Sequence, residues 1–63
     1  MEYKIKEYRE KRKLSQAELA RLSGVSRPTI VRLENNEDVV LNSRTLEKIA
    51  NALNVSIKSL FLP

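Results

Sequence analysis

The chain contains one glycine, Gly24, and the residues on either side of it carry the signals of two short helices. Ser15 and Glu18 have the spacing of a capping box, in which the two side chains satisfy free backbone N–H groups at a helix start. Gly24 suits the left-handed residue that follows a helix end, so this helix should stop just before it. Ser26 is a candidate N-cap for the next helix, with Pro28 in its first turn, where a missing N–H costs little. The sequence therefore predicts two helices joined by a tight turn.

Three further helices are predicted from apolar residues three or four positions apart. One Gly and two Pro in 63 residues argue against a turn-rich β domain, and no segment has the period-two alternation of a half-buried strand. We therefore expect an all-α fold, with residues 1–63 forming one compact domain of five helices. The first helix should run from Glu2 to about Arg12, the second from Ser15 to Ser23, and the third from Ser26 until Asn35 and Asn36 end it. Asn42 or Ser43 should cap the fourth helix, and the fifth should run from Ile57 to Phe61 after Ser56.

Each helix should bury one apolar face, because a chain this short must build its core from helix packing. The expected inward positions are Ile5, Tyr8 and Arg12 in the first helix, Leu19, Ala20 and Leu22 in the second, Ile30 and Leu33 in the third, and Leu46, Ile49, Ala50 and Leu53 in the fourth.

The positive charge is concentrated in the first half of the chain. Residues 1–32 hold nine Lys or Arg and four acids, whereas residues 33–63 hold three and four, within a total of +4. An excess of basic over acidic residues in a chain this short favours an anionic partner, although surface charge is ordinarily explained by a solvated face. The absence of Cys fits a reducing cytoplasm, and the longest apolar run, three residues, is too short for a membrane span.

An enzyme is the weakest interpretation of the composition. The chain has neither His nor Cys, and it shows no carboxylate pair, no nucleophile–base pair and no glycine loop that could hold a phosphate. We expect no catalytic residue, no metal and no cofactor, and a role in binding.

From Gln16 to Asn35 the chain resembles the helix-turn-helix of the phage repressor and Cro family, also called the XRE family. The segment Thr45–Ser56 is similar to the fourth helix of the same family and to its exit. The resemblance extends from about Ile5 to Phe61. It implies a five-helix, lambda-repressor-like DNA-binding domain, with the helix-turn-helix at about residues 16–35.

Five residues are interpreted as the scaffold of this motif rather than as DNA contacts. A small side chain at Ala20 lets the second and third helices cross closely. Gly24 permits the positive φ that the turn needs. The apolar residues Val25, Ile30 and Leu33 then fix the third helix against the second.

The resemblance implies that the third helix, about residues 27–35, lies in the major groove of DNA with its N-terminal residues at the base edges. Arginine is the commonest reader of guanine, because its fork matches two acceptors on that base. For Arg27 and Arg32, the alternative to a base contact is a phosphate contact or a charge that is simply solvated. By position, the candidate base contacts are Arg27, Pro28, Thr29, Val31 and Arg32.

Phosphate contacts are expected at the start of the second helix, where unpaired N–H groups attract anions. Arg9 and Glu34 match a family pair that bridges the first and third helices. The alternative is an exposed ion pair worth about 0–1 kcal/mol. The candidate phosphate contacts are Gln16, Arg9, Asn35, Asn36 and Arg44.

The chain departs from the family pattern at four places. Pro28 stands where an amide side chain is common and cannot donate a hydrogen bond. Lys13 and Asn36 replace two common glycines, and the turn at Lys13 should be strained for that reason. The loop Glu37–Asn42 is more acidic and apolar than usual.

Taken together, these features predict a sequence-specific DNA-binding transcriptional regulator of bacterial or phage type, acting as a repressor or autoregulator. A homodimer on a palindromic operator is expected. The alternative is an antitoxin-type protein or a restriction–modification controller that also binds a partner protein. The partner is double-stranded DNA, and no membrane is expected. The apolar residues that could form a dimer contact, or instead a satellite core, are Val39, Val40, Leu41, Phe61 and Leu62.

Overall fold

A computed structural model describes residues 3–35 and 43–60. These residues form five helices, which confirms the all-α prediction. The helices are α1 (Ile5–Lys11), α2 (Gln16–Ser23), α3 (Arg27–Glu34), α4 (Ser43–Leu53) and α5 (Ile57–Leu60). Helix α2 packs against α3 and α4, α1 packs against the same two helices, and α5 packs on α4. Of the described helices, none has both the length and the apolarity that a membrane crossing requires.

The first helix begins later than the sequence predicts. Helix α1 starts at Ile5, and Lys4 before it is not helical. The backbone N–H of Lys4 donates to the carbonyl of Leu60 at 2.7 Å, so the chain enters α1 tied to the end of α5. A helix start at Glu2 is therefore wrong, because Tyr3 and Lys4 are not helical and a tertiary hydrogen bond holds Lys4 outside the helix. Helix α5 ends at Leu60, and the predicted end at Phe61 lies outside the described residues.

Helix α2 has the start and the end that the sequence predicts. The Glu18 N–H donates to Ser15 Oγ at 3.0 Å, and the Ser15 N–H donates to Glu18 Oε1 at 2.8 Å, which completes the capping box. Gly24 ends the helix at φ +73°, and its N–H donates to the carbonyl of Ala20 at 2.9 Å. The turn after α2 is thus fixed by local hydrogen bonds and by one left-handed residue.

The start of α3 differs from the prediction in one bond. Ser26 precedes the helix in extended backbone geometry, as an N-cap does, but its side chain caps no N–H. Its hydroxyl instead pairs with the hydroxyl of Thr29 at 2.8 Å. The two hydroxyls are close enough to satisfy each other, which competes with the capping bond.

The core is formed by one apolar face from each helix. Two expected inward positions are wrong: Leu22 is 50% exposed, and Arg12, which directly follows α1, is exposed. At the end of α2 it is Ser23 that is buried, where its Oγ accepts from the Val25 N–H at 3.2 Å. The buried apolar residues are Ile5, Leu19, Val25, Ile30, Leu33, Leu46, Ile49, Ala50, Leu53 and Leu60.

Candidate nucleic-acid interface

Helix α3 has a buried face and an exposed face that carries positive charge. Ile30 and Leu33 are at most 1% exposed and anchor the helix to the core. Arg27, Pro28 and Arg32 are exposed. Because Pro28 and Arg32 are four residues apart, they lie on the same side of the helix. Arg27 and Arg32 are both exposed, so the part of α3 that faces away from the core presents two guanidinium groups to the solvent.

Thr29 and Val31, the other two candidate base contacts, are half-buried. The Thr29 hydroxyl bonds Ser26, and this bond limits the directions that it can face. Only one hydroxyl of such a pair donates to the other, so the acceptor's own O–H remains available to a third group. Ser26 is exposed and thus joins the outer face of α3. Sequence reasoning treated it only as a cap, although two hydroxyls three residues apart at a helix start were the signal for this pair.

A network of polar side chains connects α1, α2 and α3 behind this face. The Glu34 carboxylate accepts from Arg9 Nε at 2.7 Å, from Arg9 Nη2 at 3.1 Å and from Gln16 Nε2 at 3.1 Å. Arg9 Nη1 also donates to the carbonyl of Leu14 at 2.7 Å. The side chain of Glu34 is 3% exposed and that of Arg9 is 12% exposed.

The burial of this network decides between the two interpretations of the Arg9–Glu34 pair. The pair is present in the structure, and the alternative of an exposed ion pair of small worth does not fit these exposures. The hydrogen bond to Glu34 raises the pKa of Arg9, against the opposing effect of burial. Arg9 therefore stays charged, and the network fixes the end of α3 relative to the start of α2.

The start of α2 lies beside this network. Gln16, its first residue, is half-buried and keeps a second amide hydrogen and its carbonyl oxygen beyond the bond to Glu34. The first N–H groups of a helix have no intrahelical partner, and the capping box satisfies that of Glu18. The pKa of Glu18 is lowered by its hydrogen bonds with Ser15. The bond with the Ser15 backbone has the larger effect, and the bond with the Ser15 side chain has the next largest. Sequence reasoning gave no signal for the bond between Gln16 and Glu34, which are 18 positions apart.

The remaining candidate contacts lie around these elements or outside the described residues. Asn35 is exposed directly after α3, and Arg44 is exposed in the first turn of α4. Arg9 is held mainly by Glu34 and Leu14, so it presents little surface. Outside the described residues lie the phosphate candidate Asn36 and the dimer candidates Val39, Val40, Leu41, Phe61 and Leu62.

The scaffold residues occupy the positions that the turn and the core require. Val25, Ile30 and Leu33 are buried, Ala20 packs partly buried against the same cluster, and Gly24 holds the left-handed position. These five residues form the support of α3 rather than its outer face.

Comparison with known families gives one match that covers all five helices. A family model described as helix-turn-helix matches residues 5–60. A search of curated proteins gives no significant match to the chain.

Proposed function

Because this chain belongs to the helix-turn-helix family of phage repressor and Cro-like proteins, the XRE family, we propose that it recognises a specific operator sequence through α3. Family membership makes it a DNA-binding transcriptional regulator. The proposal adds that α3 enters the major groove and that the protein represses transcription, including that of its own gene. Such a regulator acts where the genome lies, so the proposed location is the cytoplasm.

The observation that carries the proposal is the outer face of α3, which presents Arg27 and Arg32 on a helix anchored from behind. A base-reading side chain must be held in one orientation, because each bidentate contact to guanine has a fixed geometry. The buried pair of Arg9 and Glu34 supplies this support at the end of α3. Charge alone would favour any polyanion, whereas charge on a rigid helix favours sequence recognition.

The start of α2 is the proposed phosphate anchor. It combines backbone N–H groups that have no intrahelical partner with the Gln16 amide, and phosphate contacts of this type set the register of a protein on DNA. We propose that Asn35 and Arg44 add to the same backbone contacts, and that the bond from Glu34 orients Gln16 for its own.

A dimer on a palindromic operator follows from the size of the reading element. Helix α3 has eight residues and is therefore roughly 12 Å long, which spans about four base pairs. A site of about four base pairs recurs too often in a genome to give specificity. Two copies on half-sites about one helical turn apart would remedy this. We therefore propose a homodimer.

The alternative, a regulator that also binds a protein such as a toxin, finds little support in the described part of the chain. There, Leu22 is the one large apolar side chain that is exposed. A single exposed leucine is ordinary on a protein surface and does not form a docking patch. We therefore do not favour this second function.

The proposal is tested by the binding of two duplexes of equal length, one enriched from a random pool and one of random sequence, over a series of salt concentrations. Tighter binding to the enriched duplex, with affinity that falls steeply as salt rises, supports it. Gln16→Ala should weaken the binding of both duplexes by the same factor, because a phosphate contact carries no sequence information. Asn51→Ala, which removes an exposed amide from α4, is the matched control and should leave binding unchanged. Equal affinity for both duplexes would refute sequence recognition, and salt-insensitive association with a co-purified protein would favour the partner function.

A further inference from the structure

The turn between α1 and α2 places a lysine in a left-handed conformation. Lys13 has φ +56°. The N–H of Lys13 donates to the carbonyl of Glu10 at 3.0 Å, and the N–H of Leu14 donates to that of Arg9 at 3.1 Å. These two bonds are those of a Schellman motif, in which glycine is the usual left-handed residue. A side chain with a Cβ is disfavoured there.

Within the part of the chain that the structure describes, the other two left-handed positions hold other residue types. Gly24 follows α2, and Asn54, at φ +58°, follows α4 in a turn with the same pair of hydrogen bonds. Glycine has no Cβ, and asparagine tolerates this conformation better than most residues. Lysine has neither advantage. A residue that destabilises its own turn indicates that the side chain serves something other than folding.

The surroundings of Lys13 point to an anion. Residues 9–13 hold four of the twelve cationic residues and one acid. Arg9 is bonded to Glu34, and the charged groups of Lys11 and Arg12 lie over the Tyr8 ring at 5.5 and 5.6 Å from its centre. Lys13 is exposed, and no carboxylate of residues 3–35 and 43–60 pairs with it.

Lys13 is also close to the proposed phosphate anchor. Lys13 and Gln16 are three positions apart, so their Cα atoms are at most about 11 Å apart. A flexible lysine side chain at this distance can reach a second phosphate of the strand that the start of α2 contacts. We propose that Lys13 binds the DNA phosphate next to this anchor and that its charge is the reason for a lysine at a position suited to glycine. This inference rests on the proposed DNA-binding function.

The test is the variant Lys13→Gly, studied by thermal unfolding and by DNA binding. Relief of the left-handed strain should raise Tm by about 4 °C. The affinity at 0.1 M salt should fall about eightfold on enriched and random duplexes alike, because one phosphate contact contributes about 0.9 to the slope of log K against log salt. The magnitude of that slope should fall by about 0.9. A variant that is more stable and binds more weakly separates the role of the charge from that of the fold.

Three matched variants complete the test. Lys13→Asn keeps a residue that suits the turn and removes the charge, so it should bind like Lys13→Gly. Lys13→Arg keeps the charge and should retain the wild-type slope. Lys58→Gln, an equal loss of charge on α5, should leave the slope unchanged.

Two results would overturn the inference while leaving the DNA-binding function in place. One is wild-type affinity and slope in Lys13→Gly. The other is a lower Tm in Lys13→Gly, which would make the lysine a structural residue. If the wild-type protein binds neither duplex, the proposed function itself fails. The behaviour of the wild type therefore distinguishes the two failures.

Discussion

Arg9→Met removes the guanidinium group that bonds the Glu34 carboxylate at 2.7 and 3.1 Å and the Leu14 carbonyl at 2.7 Å. Methionine retains most of the apolar stem, so the change acts mainly on the polar network. The carboxylate, 3% exposed, then keeps one hydrogen bond from Gln16, of 3.1 Å. The variant thus leaves a nearly buried negative charge without its cationic partner.

The expected loss of stability is large for a domain of this size. Removing one partner of a buried ion pair costs about 3–5 kcal/mol, and the 12% exposure of Arg9 places this pair near the lower end. The total stability of 63 residues is roughly 3–9 kcal/mol at the usual value per residue. We therefore expect Arg9→Met to lose about 3 kcal/mol, which is a third or more of the total.

Urea unfolding followed by circular dichroism measures this loss. The double variant Arg9→Met/Glu34→Leu should recover most of it, because the stranded charge is gone and apolar groups replace the pair. Lys6→Met, on an exposed position of α1, is the control and should change stability by less than about 0.5 kcal/mol. A loss below about 1 kcal/mol in Arg9→Met would show instead that the pair behaves as an ion pair exposed to solvent.

Three further predictions concern local features. Gly24→Ala should destabilise by about 1 kcal/mol from its φ of +73° alone, since nothing lies within 4 Å of an added Cβ; an unchanged urea midpoint would contradict this. Glu18→Gln should be less stable than wild type at pH 7; the difference should begin to shrink below pH 4.5 and vanish once pH lies below the lowered pKa of Glu18, because a carboxyl with a lowered pKa stabilises only while ionised, and a difference independent of pH would contradict this. Leu22→Lys should leave the urea midpoint nearly unchanged, whereas Leu19→Ala should lower stability by about 2–5 kcal/mol; equal losses would contradict the placement of Leu22.

The sequence was most informative where structure depends on neighbouring residues. The capping box of Ser15 and Glu18 and the left-handed Gly24 were predictable, because their hydrogen bonds join residues three or four positions apart. The four buried positions of α4 followed from their spacing for the same reason. The family resemblance then placed α3 and its outer face.

The errors occur where distant parts of the chain decide the outcome. Leu22 has the spacing of a core residue, but at the end of α2 it stays 50% exposed among residues 3–35 and 43–60. The start of α1 depends on a bond between Lys4 and Leu60, 56 positions away. The bond from Gln16 to Glu34 likewise depends on how α2 and α3 meet. Such contacts follow from packing, which local patterns do not encode.

Whether α3 reads base edges is decided by selection of bound sites from random DNA, carried out with the wild type and with Arg32→Ala. The wild type should enrich a two-fold symmetric site. Arg32→Ala should enrich the same site with the preference relaxed at one base pair in each half, since a lost guanine contact costs about 1–3 kcal/mol at that position alone. Identical site preferences for the two proteins would show that Arg32 reads no base. A wild type that enriches no sequence would contradict the account as a whole.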